Sequence, residues 1–450
     1  MDAFEEQTQD GPHPRPGQGA DLPLPGTTGA EPHASEQLDR LRRLIDRIYP
    51  ANPFYAPKLR DAGIKGFVDS LETFRSRLPF TLKQDLIHDQ LRNPPFGSNL
   101  TFPLEQYTRF CQTSATTGKP MRWLDTPESW NWMLSNWDRV YEAAGINPSD
   151  RIFFAFSFGP FLGFWTAFES AARLGCLCIP GGGMRSGARL RVMLDTKATA
   201  LCCTPTYAIH LAEAAAEEDI DMSKMCVRVI LVAGEPGGSI PGTRSRIEKL
   251  WPGARVVDHH GMSEVGPVSY GCPVRVGVLH IIESSYIAEV VDPSSGAPVA
   301  PDNPGELVLT SLGRTGSPLL RYRTGDLVQA SPPSICECGS TDMALEGGIL
   351  GRTDDMLVVR GVNVYPVAVE DVVRSHNGVA EYQVKISIER SLVELHLEVE
   401  PDSDHVADKD LAHRLQTALR DALALRIPVS IVAPGTLPRF EMKAKRWIRV

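Results

Sequence analysis

A chain of 450 residues exceeds what one compact core usually serves, so the sequence predicts two folded domains, one of them large. Hydrophobic residues make up 42% and charged residues 22%, ordinary for a globular protein, and no apolar run approaches the length that crosses a bilayer. The net charge of -9 argues against a nucleic-acid binder, and nine scattered cysteines, with Cys202 and Cys203 adjacent, argue for reduced thiols in a cytoplasmic protein rather than a disulfide framework.

Residues 1–35 are dense in Pro, Gly and charge, lack the apolar stretch of a secretory signal, and read as a disordered tail. From Leu38 to Leu91 the pattern is helical, with leucines and isoleucines of LDRLRRLIDRIY at three- and four-residue spacing. The centre alternates short β-rich runs (IFFAFSF, LCIP, ALCCT, VRVILVAG, ARVVD) with amphipathic stretches, the pattern of a parallel sheet covered by helices. Ligands of such sheets gather at the carboxyl ends of strands, which here carry Gly, Pro, Ser and Glu. After Tyr286 the chain turns to strands and turns, and residues 351–450 read as a small α+β unit beginning near GRTDDM. The predicted class is α/β: a large N-terminal domain, residues 36–350, with helix-covered sheets, and a small mobile α+β C-terminal domain.

Five segments carry candidate chemistry. TSATTGKP, Thr113 to Pro120, gathers four hydroxyls, a Gly and Lys119 in one turn, able to surround phosphate oxygens, although it lacks the Walker spacing and taken alone also fits a polar surface turn. AGEP (Ala233, Gly234, Glu235, Pro236) and DHHGMSEVG (Asp258 to Gly266) follow two successive predicted strands, so that two polar strand ends make a nucleotide cleft. Within it Glu264 offers magnesium the oxygen donor it prefers, though a lone Glu is more often a solvated charge. In LLRYRTGDLV, Asp326 follows a Gly turn and can accept from a pair of ribose hydroxyls, with Arg321 and Arg323 nearby. GRTDDMLVVRGVNVYP opens at the domain boundary and suits a hinge, and LPRFEMKAKRWIRV ends the chain in a basic patch, interrupted by Phe440 and Trp447, that can carry Lys443 or Lys445 into a cleft.

In this order TSATTGKP, AGEP, HGMSE, YRTGDL, GRTDDM, RGVNVYP and PRFEMKAKR resemble the adenylate-forming superfamily, specifically its phenylacetate-CoA ligase branch, from about Gln106 to the C-terminus. The resemblance implies an enzyme that activates a carboxylic acid, aromatic or arylacetic, with ATP and Mg2+, and passes the acyl group to CoA. It places Thr113, Ser114, Thr116, Thr117, Gly118 and Lys119 on the triphosphate and Ala233, Gly234, Glu235 and Pro236 beside adenine. Asp258, His260, Gly261, Met262 and Ser263 join the nucleotide site. Glu264 becomes the magnesium residue, Asp326 the ribose ligand, Arg352 its neighbour, Asp354 the hinge and Lys443 the catalytic lysine. Rotation of the small domain would replace Lys443 by the segment near Gly361 at the acceptor tunnel. The partners implied are the acid, ATP and CoA, with neither nucleic acid nor membrane, and a homodimer is compatible with this.

Three positions depart from the branch: Ala115 stands where Gly is usual, His260 where Tyr commonly contacts adenine or the acyl group, and Met442 where Gly commonly precedes the catalytic Lys. The branch often carries structural zinc, and Cys272, His280, Cys336 and Cys338 make a closed tetrahedral set, with buried free cysteines and a core histidine as the alternative. Phe158 and Phe161, in the aromatic run Phe153 to Trp165, are the candidate acyl-pocket residues, although core packing also accounts for most of that run. Two other functions remain at this stage: transfer of the acyl group to an amine or carrier protein, and a nucleotide-binding homologue without turnover.

Overall fold

The structure is a computed structural model, in which residues 33–113, 120–360, 362–389, 392–440 and 443–450 are described. It opens with four helices, α1 (Ala34–Ile48), α2 (Tyr55–Asp61), α3 (Leu71–Arg77) and α4 (Lys83–Arg92). The three- and four-residue spacing explains α1, whose Leu41, Leu44, Ile45 and Ile48 are all buried. They share a core with Tyr55, Leu59 and Phe74, closed by Ile287, Leu312 and Leu320 from later in the chain. Ala34 and Ser35, grouped with the tail on composition, form the first turn of α1.

Next come β1 (Arg109–Gln112), β2 (Arg122–Asp125), α5 (Pro127–Ala143), β3 (Arg151–Phe154), α6 (Leu162–Leu174), β4 (Leu177–Pro180), α7 (Ser186–Thr196), β5 (Ala200–Cys203), α8 (Pro205–Glu217), β6 (Val229–Val232), α9 (Pro241–Leu250) and β7 (Arg255–Asp258). The last five strands named, β3 to β7, form one parallel sheet in the order β4-β3-β5-β6-β7. Both faces are covered, and alternation sorts the side chains: Ile152, Phe154, Ala200, Cys202, Val229 and Leu231 enter one core, Phe153, Leu201, Cys203, Ile230 and Val232 the other. Helix starts follow local chemistry. Thr126 and Thr204 cap α5 and α8 by accepting from Ser129 N and Tyr207 N, each followed by a proline in the first turn.

A run of mostly short strands follows: β8 (Gly261–Met262), β9 (Gly266–Pro267), β10 (Ser269–Gly271), β11 (Val278–Ile281), β12 (Tyr286–Val291), β13 (Pro304–Ser311), β14 (Tyr322–Gln329), β15 (Ala344–Glu346) and β16 (Gly351–Arg352). They assemble as a β8–β9 hairpin, a sheet β10-β11-β15 and a sheet β12-β13-β14-β16. The remainder is β17 (Leu357–Val359), β18 (Val362–Val364), α10 (Pro366–Arg374), β19 (Val379–Glu389), β20 (Leu392–Pro401), α11 (Leu411–Leu423), β21 (Val429–Ile431) and β22 (Trp447–Arg449). It has its own core, in which Val369, Val373, Tyr382, Val384, Leu397, Leu411, Leu415 and Leu419 pack together. This gives a large N-terminal domain and a small α+β C-terminal domain.

Two elements differ from the sequence expectation. Residues 122–125 form β2, antiparallel to β1, before the helix begins, with Trp123, Leu124 and Asp125 all buried. The terminal basic patch ends in a strand, with Trp447 paired to Val384 and Ile448 to Lys385 in parallel, which anchors the segment carrying Lys443.

Candidate active site

The neighbouring parallel strands β6 and β7 deliver their carboxyl ends side by side, and the chain turns sharply after each. Gly234 has φ +94°, a conformation that favours glycine. Its neighbour Glu235 accepts from Thr206 N at 2.8 Å through Oε1 and from Ala444 N at 2.9 Å through Oε2. One carboxylate thus joins the start of α8 to the residue after Lys443. Lys443 is exposed, and its Cε lies 3.7 Å from where a Cβ on Gly234 would stand, so the lysine reaches the β6 end. Asp258, at the end of β7, is half-buried and accepts from Ser239 Oγ at 2.5 Å and His259 N at 3.0 Å. Burial pushes its carboxyl above the ordinary value, the two hydrogen bonds notwithstanding.

His260 follows, and its imidazole meets a carboxylate: Nε2 lies 3.0 Å from Asp326 Oδ2, while the buried Nδ1 has no partner among the described residues. Asp326 sits in β14 directly opposite Arg352 in β16, whose Nη1 donates to Asp326 Oδ1 at 3.0 Å and to Thr324 O at 2.9 Å. Burial alone would raise the Asp326 carboxyl, but the His260 hydrogen bond and the His260 and Arg352 charges hold it below the ordinary carboxylate range. Arg352 Nε also donates to exposed Asp354 at 3.0 Å, linking the expected ribose ligand to the expected hinge.

Gly261 and Met262 pair with Pro267 and Gly266, so Ser263 and Glu264 lie in the hairpin turn. Glu264 is nearly buried, and its carboxylate faces Lys83 Nζ at 3.4 Å, from the first residue of α4. The turn is clamped from beneath by Arg314. Its guanidinium is wholly buried, pairs through Nε and Nη2 with both oxygens of Asp125 at 2.7 Å, and donates through Nη1 to Ser263 O and Glu264 O, each at 2.7 Å. Neither Lys83 nor the Arg314–Asp125 pair drew attention in the sequence: one is a lone Lys opening a helix, the others lie 189 positions apart.

Thr113 closes the neck of the β1–β2 hairpin: its N donates to Met121 O at 2.9 Å and its Oγ1 accepts from Met121 N at 3.0 Å. Ser114, Ala115, Thr116, Thr117, Gly118, Lys119, Gly361 and Met442 lie outside the described residues. Beside the neck, Gln112 N donates to Pro160 O at 2.8 Å, which brings the Phe158–Phe161 turn against the hairpin. Phe158, at φ +51°, packs edge-on to Trp165 and Phe168 with centroids 5.3 Å away, and Phe161 meets Phe164, itself stacked on Phe156 at 4.3 Å. Both candidate pocket residues are half-buried members of one aromatic cluster.

The four metal-ligand candidates converge. Cys272, His280, Cys336 and Cys338 place one donor atom each within 4.8 Å of one another. His280 Nδ1 lies 3.1 Å from Asp342 O, which leaves Nε2 facing Cys338 Sγ at 3.5 Å, and Arg275 N donates to Cys272 Sγ at 3.2 Å. Gly339, at φ +86°, turns Cys336 and Cys338 to the same side. Burial pushes the His280 imidazole down, favouring the neutral form a metal takes. Three thiols, one oriented imidazole and hydrogen-bonded outer partners fit a closed tetrahedral zinc site.

Among the described residues no helix is long and apolar enough to cross a membrane. Residues 88–314 match the AMP-binding enzyme family and residues 361–449 the AMP-binding enzyme C-terminal domain. The chain is 34% identical to a phenylacetate-coenzyme A ligase of Thermus thermophilus over 90% of its own length and 93% of that protein's. To the phenylacetate-coenzyme A ligase of Escherichia coli it is 31% identical over 91% and 93%. Crystal structures of a 2-hydroxyisobutyryl-CoA ligase, 31% identical, cover 94% of this chain and 91% of theirs. The TM-score is 0.88 for that enzyme in its post-adenylation state with an acyl-AMP and 0.70 for its thioesterification state with CoA. At equal coverage the gap reports how the parts are arranged, and this structure shares the former arrangement. The chain belongs to the AMP-binding, adenylate-forming enzymes, in the branch of the phenylacetate-CoA ligases.

Proposed function

We propose that this protein activates an aromatic or arylacetic acid with ATP, forming an acyl adenylate and pyrophosphate, and then transfers the acyl group to CoA with release of AMP. The observation that carries this reading is the placement of Lys443 over Gly234, held there by the Glu235 bridge to Ala444 N, on the strand ends that also carry Asp258 and lead to His260 and Glu264. Attack of a carboxylate on the α-phosphate brings two anions together, so the reaction needs fixed positive charge where negative charge develops, and the Lys443 ammonium supplies it. Asp326, kept ionised by its partners, accepts from the ribose hydroxyls, and the buried His260 Nδ1 is a free polar atom beside it. Glu264, whose carboxylate faces Lys83 Nζ at 3.4 Å, would hold Mg2+ when nucleotide is bound, a cation that neutralises phosphate charge. Thr113 starts the triphosphate loop, with Ser114 to Lys119 completing it.

The aromatic cluster at Phe158 and Phe161, hydrogen-bonded to β1 beside Thr113, offers the acid an apolar wall close to the phosphates. Cys272, His280, Cys336 and Cys338 would hold structural zinc. After adenylation the small domain, residues 351–450, turns about Asp354 and withdraws Lys443, bringing the Gly361 segment to the acceptor. A cytoplasmic setting belongs to the same reading, supported by nine scattered cysteines whose spacing suits reduced thiols better than a disulfide framework.

A pyrophosphate-release screen over benzoate, phenylacetate, their ring-substituted relatives and short aliphatic acids, with and without CoA, tests this. Acid-dependent release greatest for an aromatic member and multiple turnover only with CoA is the expected result. Release that CoA leaves unaffected points to an amine or carrier acceptor, and no release with any acid ends the reading.

A further inference from the structure

Two domains rest in one arrangement only when contacts special to it offset the freedom they lose. Besides the Glu235–Ala444 bridge, the domains meet where the start of α9 faces the end of α10. There Asp371 Oδ1 accepts from Gly242 N at 2.9 Å. That N–H is one of those a helix start leaves without an intrahelical partner, and a carboxylate there also complements the helix dipole.

Gly242 is distinguished further by space. A Cβ on it would stand 2.6 Å from Ser375 Oγ, 2.7 Å from Asp371 O and 2.8 Å from Ser375 N. Two of these are backbone atoms, which cannot rotate aside. Its φ lies outside the left-handed range, so α9 itself does not call for glycine, and alanine is the better helix former. Only the approach of α10 does. Nearby bridges are longer and held by flexible side chains: Lys249 Nζ to Asn377 Oδ1 at 3.4 Å and Arg439 Nε to Glu213 Oε2 at 3.5 Å.

We infer that Gly242 and Asp371 form the seat on which the small domain docks for adenylation, and are positioning residues for that half-reaction alone. They touch no substrate. They act by fixing α10, and through its domain the segment that presents Lys443, against the β6 end. The inference rests on the adenylation reading, and the arrangement it concerns is the one shared with the post-adenylation relative.

The test compares the full-length wild type with Gly242→Ala and Asp371→Ala. Adenylation is read as phenylacetate-dependent pyrophosphate exchange, thioester formation as product from preformed phenylacetyl-adenylate and CoA, and docking as amide exchange in the first turn of α9. Gly242→Ala is expected to slow adenylation at least about tenfold, with thioester formation within about twofold and an unlowered thermal midpoint. Asp371→Ala is expected to show the same split more weakly, and both variants to lose amide protection at the start of α9. Equal loss of both half-reactions, no loss in either, or a wild-type α9 start that exchanges as fast as free amides overturns the inference. A wild type protected at α9 that performs no exchange of pyrophosphate with any acid contradicts the functional reading, and with it the seat's role in adenylation, while the Gly242–Asp371 docking contact stands.

Discussion

Asp326 owes its state to two neighbours of different reach. Arg352 is its cross-strand partner, whereas His260 approaches from the β7 end, so the carboxylate is both ionised and aimed. His260→Phe removes one charge-assisted bond; the Asp326 carboxyl should then rise toward its ordinary value, and KM for ATP should increase about fivefold with a smaller change in kcat. Because its folded value is depressed, the stabilisation this carboxylate provides is full above its ordinary range and fades as pH falls through it. Steady-state kinetics of the variant checks the first, and an unchanged KM contradicts it. Arg314 works differently, through backbone carbonyls. Arg314→Met should destabilise the fold by about 3–5 kcal/mol by stranding Asp125, and the double change with Asp125→Leu should recover most of that. If Arg314 also aims Glu264, the recovered double variant will still need more Mg2+ for half-maximal activity; identical Mg2+ dependence would leave it a purely structural pair. The motif residues Glu264, Asp326 and Lys443 were legible because their neighbours in sequence mark them. Lys83, Arg314 and Asp125 were not, since only folding brings them to the Glu264 turn.

At the level of elements, the parallel sheet could be read directly because its inner strands β5 and β6 are unbroken apolar runs, buried on both faces. The short strands β8 to β16 could not be bounded in the same way, since two- and three-residue strands have no period to detect. The terminal strand β22 hid inside a basic patch, yet it seats Arg446 on Glu381. Burial by itself would raise that carboxyl, but the Arg374 and Arg446 charges outweigh it and bring it from 4.5 to about 2. A depressed value means stability present above about pH 4.5 and lost as pH falls toward about 2, of the order of 3 kcal/mol in all. The thermal midpoint of Glu381→Gln should therefore lie well below wild type near about pH 6, and the gap should narrow on acidification. A gap constant with pH would refute the assignment. The proposed zinc site at Cys272, His280, Cys336 and Cys338 would likewise be an element held by its ligands: Cys336→Ser should abolish bound zinc in elemental analysis and lower the midpoint, and a purified wild type free of zinc would rule the metal out.

On the scale of the whole molecule, a change of pattern near residue 351 suggests a small domain in the sequence, and the structure shows a core of its own drawn from residues between Leu357 and Trp447. What the sequence could not supply was the arrangement of the two domains, because the Gly242–Asp371 and Glu235–Ala444 contacts join positions whose significance exists only when the domains meet. In the proposed reading, that arrangement is what would make Lys443 an adenylation residue rather than a terminal surface charge. The direct test is Lys443→Ala, assayed for acid-dependent pyrophosphate release and, separately, for thioester formation from preformed adenylate and CoA. Loss of the first by about a thousandfold or more, with the second largely retained, is the predicted result; equal loss of both, or full retention of pyrophosphate release, would contradict it.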